Sequence, residues 1–324
     1  MDEISLIRRF WEPLGRAVTH PAVREGIGND GAVIRCEPGQ DAVVAVDTLV
    51  EGVHFPATID PYALGWRALA VNLSDLAAMG AEPVCYTLAL TLPRADEDWL
   101  EAFSGGLRDL SVRHGIQLVG GDTTRGPLTI TIQVQGRVPS GTAMRRGGAA
   151  PGDRVCVSGS LGSAGEALKW LDTSPGNNPD VRAVLARYFY PQPRLALGGW
   201  LRERGVAAID VSDGLVSDLG QLLGEAGRGA RLDYAALPIA PELATLAGSQ
   251  ARKLAASAGD DYELCFLWPL ALGEVPESTD EGVPLTVIGE VEAEPGVRLM
   301  DGNDPVELAY GGYSHFSGGA NDDS

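Results

Sequence analysis

Lysine is almost missing from this chain of 324 residues, in which Lys169 and Lys253 are the only two. Neither follows a glycine-rich loop, so a Gly-x-x-x-x-Gly-Lys-Ser/Thr phosphate loop is excluded, and with it the enzymes built on that loop. Basic charge is short overall: 25 Lys and Arg stand against 44 Asp and Glu, a formal net charge of −19. Nucleic acid is therefore not an expected partner, because a phosphodiester backbone is bound through a basic surface. The four cysteines, Cys36, Cys85, Cys156 and Cys265, are scattered and form no Cys-x-x-Cys. A zinc knuckle or redox pair has no support, and buried core thiols are expected. No run of about 18 apolar residues occurs, and residues 1–15 carry acids and paired arginines in place of a signal core, so neither a membrane span nor a secretion signal is expected and the cytoplasm is the expected location. Hydrophobic content of 44% and charged content of 21% describe an ordinary globular protein. The length suits two domains, since single cores rarely grow past about 250–300 residues.

An acidic protein that handles phosphates has to bring cations to them, which directs attention to residues 71–83. From Pro61 onward, Leu64, Leu69, Leu73, Leu76 and Ala77 recur at helical spacing, and Gly80 and Pro83 are stop signals. Asp75 lies inside this apolar helix. A lone carboxylate is costly to desolvate, and its helical neighbours Val71, Asn72, Ala78 and Met79 include no Lys or Arg. Either it sits on a wet face, or a metal ion or an Arg from elsewhere in the fold compensates it.

Similar lone aspartates recur along the chain. Strand-like runs at residues 32–36 and 42–46 are bracketed by Asp30 and Asp47, and antiparallel pairing of the two would bring both carboxylates to one end of a sheet. His54 follows in a loop, where a hydrogen-bonded structural role is the ordinary reading. A strand over 84–92 and a helix over 97–114 lead to Gly120-Gly121-Asp122, read as a turn whose exposed N–H groups suit phosphate oxygens. A long strand at 128–138 closes a first domain (1–138), and a Gly-, Ala- and Pro-rich linker (139–153) carries Arg145 and Arg146. The second domain (154–316) alternates strands and helices. In it Asp210 ends a strand, Ser212 and Asp213 precede a helix at 215–224 and are candidate N-caps, and Asp260-Asp261 precede a strand at 262–267. The polar tail (317–324) is expected to be disordered.

Asp30, Asp47, Asp75, Asp122, Asp210 and Asp213 thus fall at strand ends or on a helix, mostly with Gly, Ser or Thr close by. Short carboxylates with open flanks suit Mg²⁺, which keeps part of its coordination for water or substrate phosphate. Gly-Asn-Asp-Gly-Ala, Val-Asp-Thr-Leu-Val-Glu-Gly-Val-His-Phe, Asn-Leu-Ser-Asp-Leu-Ala-Ala-Met-Gly, Gly-Gly-Asp-Thr-Thr, Asp-Val-Ser-Asp-Gly-Leu, Asp-Tyr-Glu-Leu and the closing Gly-Tyr-Ser-His-Phe together resemble the thiamine-monophosphate kinases over nearly the whole chain. Several of these motifs are shared with the wider aminoimidazole ribonucleotide synthetase-like superfamily. The resemblance implies an α/β two-domain fold: an N-terminal mixed-sheet domain that dimerises through its sheet, and a C-terminal α/β domain closing over the nucleotide. It implies ATP-dependent phosphorylation of thiamine phosphate to thiamine diphosphate by direct in-line transfer, in a homodimer, with several Mg²⁺ ions. Carried over by position, the six aspartates are metal ligands. Gly121, Asp122, Arg146 and Ser212 meet ATP, and His54, Asp260 and Tyr313 meet thiamine phosphate.

There are two departures from the family pattern. Ala45 and Val46 stand where a hydroxyl-bearing residue usually precedes the second aspartate, and Asp260 replaces a Glu, one methylene longer. Two other readings are another ATP-dependent synthetase of the superfamily and a non-catalytic nucleotide-binding scaffold. The selenophosphate synthetases use a reactive residue near the N-terminus, whereas the first cysteine here is Cys36; hydrogenase-maturation relatives end in a Cys, and this chain ends Asn-Asp-Asp-Ser.

Overall fold

The computed structural model describes residues 3–28, 30–173 and 176–308. Its organising element is the helix Pro61–Ala78. Asp60 caps it by accepting the Ala63 N–H at 3.0 Å, Pro61 occupies the first turn, and Gly80 ends it in the left-handed region at φ 66°. Leu64, Leu69, Leu73 and Leu76 on this helix are fully buried.

This helix and Glu97–His114 cover one face of a four-stranded sheet, ordered Gln40–Val50, Thr129–Pro139, Glu82–Leu92, Gln117–Arg125. The first three strands pair antiparallel; the fourth runs parallel to Glu82–Leu92, which the helical crossover Glu97–His114 permits. Period-two alternation in Thr129–Pro139 turns Ile130, Ile132, Val134 and Val138 into the core. On the other face no element of the described chain covers Val44 and Val46, which are 59% and 57% exposed.

A seven-stranded sheet follows, ordered Asp304–Pro305, Gly296–Asp301, Gly229–Asp233, Leu285–Glu292, Arg154–Ser158, Leu264–Trp268, Ala207–Asp210. Its pairs are antiparallel except for Gly296–Asp301 with Gly229–Asp233. The Pro61–Ala78 helix reaches this half as well. Ala77 packs among Leu197, Leu201 and Phe266, and Gly198 is required where it is, since a Cβ there would stand 2.1 Å from the Ala77 carbonyl oxygen. The helix that carries Asp75 therefore packs against both sheets' surroundings, with the core of each half on either side of it.

Several sequence expectations are corrected. Val33–Ile34 pairs with Val23–Glu25 rather than with Gln40–Val50, so Asp30 and Asp47 do not share a sheet end. Asp47 lies inside an 11-residue strand rather than at its close. Gly120-Gly121-Asp122 is not a turn but the middle of Gln117–Arg125. Glycine is needed at 121 because neighbouring backbone comes so close: a Cβ would meet the Leu88 carbonyl oxygen at 1.8 Å. Ser212 and Asp213 do not cap the helix Leu215–Gly224, whose N-cap is Gly214 with no side-chain bond. Cys36 is exposed, while Cys85, Cys156 and Cys265 are buried as expected. Residues 139–153 are anchored rather than loose, with Met144 buried against the second half and the Gly147 N–H bonded to the Leu222 carbonyl at 3.1 Å.

Candidate active site

The motif Asn72-Leu73-Ser74-Asp75 is explained by what its polar members touch. Asn72 reaches sideways from the helix. Its Oδ1 accepts the Asp47 N–H at 3.0 Å, and its Nδ2 donates to the Ala68 carbonyl at 3.0 Å. Ser74 donates to Asp210 Oδ2 at 2.8 Å. One helical turn thus aligns a strand of the first sheet and a strand of the second against Asp75. Asp47, Asp75, Asp210 and Asp213 line a single cavity of about 680 Å³, together with His54, Arg67, Ser212 and Asp260.

These carboxylates repel one another. Burial, then the charges of Asp210 and Asp47, hold Asp75 well above the ordinary carboxylate range, against a smaller pull from Arg146. Asp210 is likewise raised, first by burial and then, despite the Ser74 hydrogen bond, by Asp47. Burial and Asp213 raise Asp47. Arg146 is a cation from elsewhere in the fold whose pull on Asp75 is outweighed by burial and the neighbouring acids, and it is itself held by Gln221 at 2.7 Å. The repulsion among these carboxylates, which raises Asp47, Asp75 and Asp210, is what a bound cation would relieve. Among the described residues no three Asp, Glu, His or Cys side chains stand grouped as a ready-made metal site.

The loop after Asp210 is shaped by a residue that sequence reasoning missed. Asp218, buried in the first turn of Leu215–Gly224, accepts the N–H groups of Ser212, Asp213 and Gly214 on one oxygen at 3.0, 3.0 and 3.1 Å. Burial, then Asp210, raise its pKa to about 7. An acid four residues after a strand-end Ser-Asp-Gly was the available signal. The Asp-Tyr-Glu-Leu motif also turns inward. Asp261 accepts the Gly162 N–H at 2.6 Å and burial lifts its pKa to about 7, while Glu263 accepts from Ser158, Arg187 and Arg194 at 2.5–2.7 Å. Both are fastenings for the cavity wall.

Arg67 was missed as well, although its spacing from Asp75 is eight residues, two turns along one helix face. It is 1% exposed, ion-paired to Asp260, and bonded to the Tyr188 carbonyl at 2.8 Å. His54 lines the same cavity and is linked to Arg67 through Tyr188: its Nδ1 accepts the Val50 N–H at 3.0 Å and its carbonyl accepts the Tyr188 hydroxyl at 2.8 Å.

Asp30 and Asp122 are elsewhere. They line a second cavity of about 430 Å³ with Trp11, Gly120, Gly121 and Thr123. Across the four-stranded sheet Asp47 is in register with Ile132, Leu88 and Gly121 in turn, so Asp47 and the Gly121-Asp122 pair are on opposite edges at one level. Three strand spacings make that roughly 14 Å. The six aspartates therefore divide four and two within one protomer, and the four expected ATP contacts divide likewise: Gly121 and Asp122 on one side, Ser212 and Arg146 beside the acidic cavity. Tyr313 lies outside the described residues.

Two family models match, the AIR synthase related protein N-terminal domain over residues 28–138 and its C-terminal domain over residues 150–302. The thiamine-monophosphate kinase of Salmonella typhimurium is 42% identical over 327 residues, covering 97% of this chain and 98% of that one. The crystal structure of thiamine-monophosphate kinase from Stenotrophomonas maltophilia superimposes with a TM-score of 0.83 at 41% identity, covering 92% and 96% of the two chains. A solved structure described as AaThiL complexed with AMPPCP and TMP has a TM-score of 0.77 at 28% identity and covers 97% of each chain. Motifs, fold and similarity along the full length agree, and the chain belongs to the thiamine-monophosphate kinases, within the AIR synthase related proteins.

Proposed function

We propose that this protein transfers the terminal phosphoryl group of ATP in line to the phosphate of thiamine phosphate, releasing ADP and thiamine diphosphate, and that it does so as a homodimer with Mg²⁺. The observation that carries the reading is the single cavity lined both by four aspartates, drawn from two different sheets, the connecting helix and the loop after Asp210, and by His54 and Asp260. The all-oxygen, short-armed donor set and the mutual repulsion of Asp75, Asp210 and Asp47 fit a hard divalent ion. Asp47, Asp75, Asp210 and Asp213 would hold it, and bound Mg²⁺ supplies charge neutralisation between two anionic reactants. Arg146 is a permanent cation that can meet nucleotide phosphate. Ser212 is presented by the three backbone bonds to Asp218. The acceptor phosphate is already ionised at neutral pH, so no side chain has to act as general base. His54 and Asp260, with Tyr313, take the thiamine phosphate.

The homodimer reading rests on the uncovered sheet face and its exposed Val44 and Val46, an apolar surface that a second copy would bury. It also accounts for the division of the aspartates: Asp30 and Asp122 of the partner subunit would complete each site, together with the Gly121 strand. Ala45 and Val46 bring no hydroxyl to the metal beside Asp47, so only backbone carbonyls or water are offered there.

The test is a product assay with ATP, Mg²⁺ and thiamine phosphate, run beside free thiamine. Thiamine diphosphate and ADP in equal amounts are expected. ATP consumption that does not depend on thiamine phosphate would sink the reading in favour of another synthetase of the superfamily.

A further inference from the structure

We propose that Arg67 is a positioning residue for the thiamine-phosphate contacts of the cavity, holding Asp260 directly and His54 through Tyr188. The proposal rests on the substrate reading above. His54 and Asp260 are 206 positions apart in the sequence, on segments that share no strand pairing, and some third group has to fix their separation. Arg67 is placed to do it. Its Nη2 pairs with Asp260 Oδ1, its Nη1 donates to the Tyr188 carbonyl at 2.8 Å, and its guanidinium lies 4.0 Å from the centre of the Tyr188 ring. The Tyr188 hydroxyl in turn donates to the His54 carbonyl at 2.8 Å.

Asp260 would not hold its place unaided. Among the described residues, Asp260 and Tyr262 are the non-glycine residues with positive φ, at 69° and 51°, a conformation that persists only where surroundings impose it. Two backbone bonds pin that loop, Asp260 N–H to the Ser212 carbonyl and Tyr262 N–H to the Val211 carbonyl, both 2.9 Å. Arg67 and the Tyr262 hydroxyl, at 3.1 Å, both engage Asp260 Oδ1, which sets the plane of the carboxylate. With an aspartate one methylene shorter than the usual glutamate, that orientation decides what Asp260 can reach. A buried guanidinium fork spans two acceptors in fixed directions, which a lysine ammonium does not reproduce.

Steady-state kinetics of Arg67→Lys and Tyr188→Phe, each substrate varied in turn, test the proposal. In Arg67→Lys we expect KM for thiamine phosphate to rise roughly tenfold, with KM for ATP nearly unchanged and kcat reduced less than KM rises. Tyr188→Phe, which deletes one hydroxyl and keeps the ring under Arg67, should raise the same KM about threefold. Combining Arg67→Lys with Asp260→Asn should cost little more than Asp260→Asn alone, because one acts through the other. A fall in melting temperature with KM for thiamine phosphate unchanged, or an equal rise in KM for ATP, overturns the proposal and leaves Arg67 a structural ion pair. If Arg67→Lys does not fold, Tyr188→Phe decides by the same two outcomes. Wild-type protein that makes no thiamine diphosphate overturns the substrate reading; wild-type turnover with flat variants overturns the role of Arg67 alone.

Discussion

Asp75 concentrates the conflict between stability and chemistry. Its carboxylate is buried beside Asp210 and Asp47 with Arg146 offsetting them in part, an arrangement that weakens the metal-free protein and would serve the proposed Mg²⁺-dependent one. Asp75→Asn is expected to lower kcat by on the order of 10²-fold or more while raising the melting temperature in EDTA, and a scanning fluorimetry trace beside the activity assay reads both. In the wild type Mg²⁺ should raise the melting temperature by mass action, and Asp75→Asn should blunt that rise. At Gly121 the constraint is steric. With the Leu88 carbonyl 1.8 Å from any added Cβ, Gly121→Ala should cost more than about 3 kcal/mol in urea unfolding, whatever it does to nucleotide affinity.

At the level of elements, two ends of helices carry testable behaviour. The first turn of Leu215–Gly224 organises the 212–214 loop through Asp218, and Asp218→Ala would leave three N–H groups without that acceptor. A loss of about 1–3 kcal/mol is expected, with amide exchange accelerating first at residues 212–214. At the end of Glu97–His114, burial and then Arg113 depress the His114 pKa from 6.5 to about 4. The folded-state value lies below the unfolded one, so the unfolded chain takes up the proton first and stability is lost as pH falls from 6.5 toward 4. His20, lowered mainly by burial, acts in the same direction. Because buried carboxylates such as Asp261 titrate in the opposite sense, the difference is the readout: the melting temperature of His114→Leu relative to wild type should climb as pH drops through this window.

On the scale of the whole molecule, the homodimer proposed on the sheet face bearing Val44 and Val46 predicts that assembly and activity go together. If each site of the proposed homodimer is completed by Asp30 and Asp122 of the partner subunit, Val46→Glu should yield monomers in sedimentation experiments and abolish turnover. Mixing two inactive variants is the sharper experiment. If Asp47 and Asp122 meet across the dimer, Asp47→Asn and Asp122→Asn re-associated in equal amounts should recover about a quarter of wild-type activity, because half the dimers are mixed and each has one intact site. No recovery after verified exchange of subunits would place both residues in the same protomer's site.

Much of the framework was legible in the residues themselves. The helices over 97–114 and 215–224, the strand over 84–92, and the caps and stops around 61–80 follow from periodicity, glycine and proline, which act within a few residues of chain. Family motifs pointed to His54, Asp260 and the aspartates for the same reason: each motif is short and local. What the sequence alone did not determine was who meets whom. That Asn72 holds the Asp47 backbone, that Asp218 gathers the 212–214 amides, and that Asp30 and Asp122 stand apart from the other four are matters of strand order and helix packing. A charge buried at one position is tolerable only through partners brought from distant positions, and where those partners lie is set by the tertiary fold.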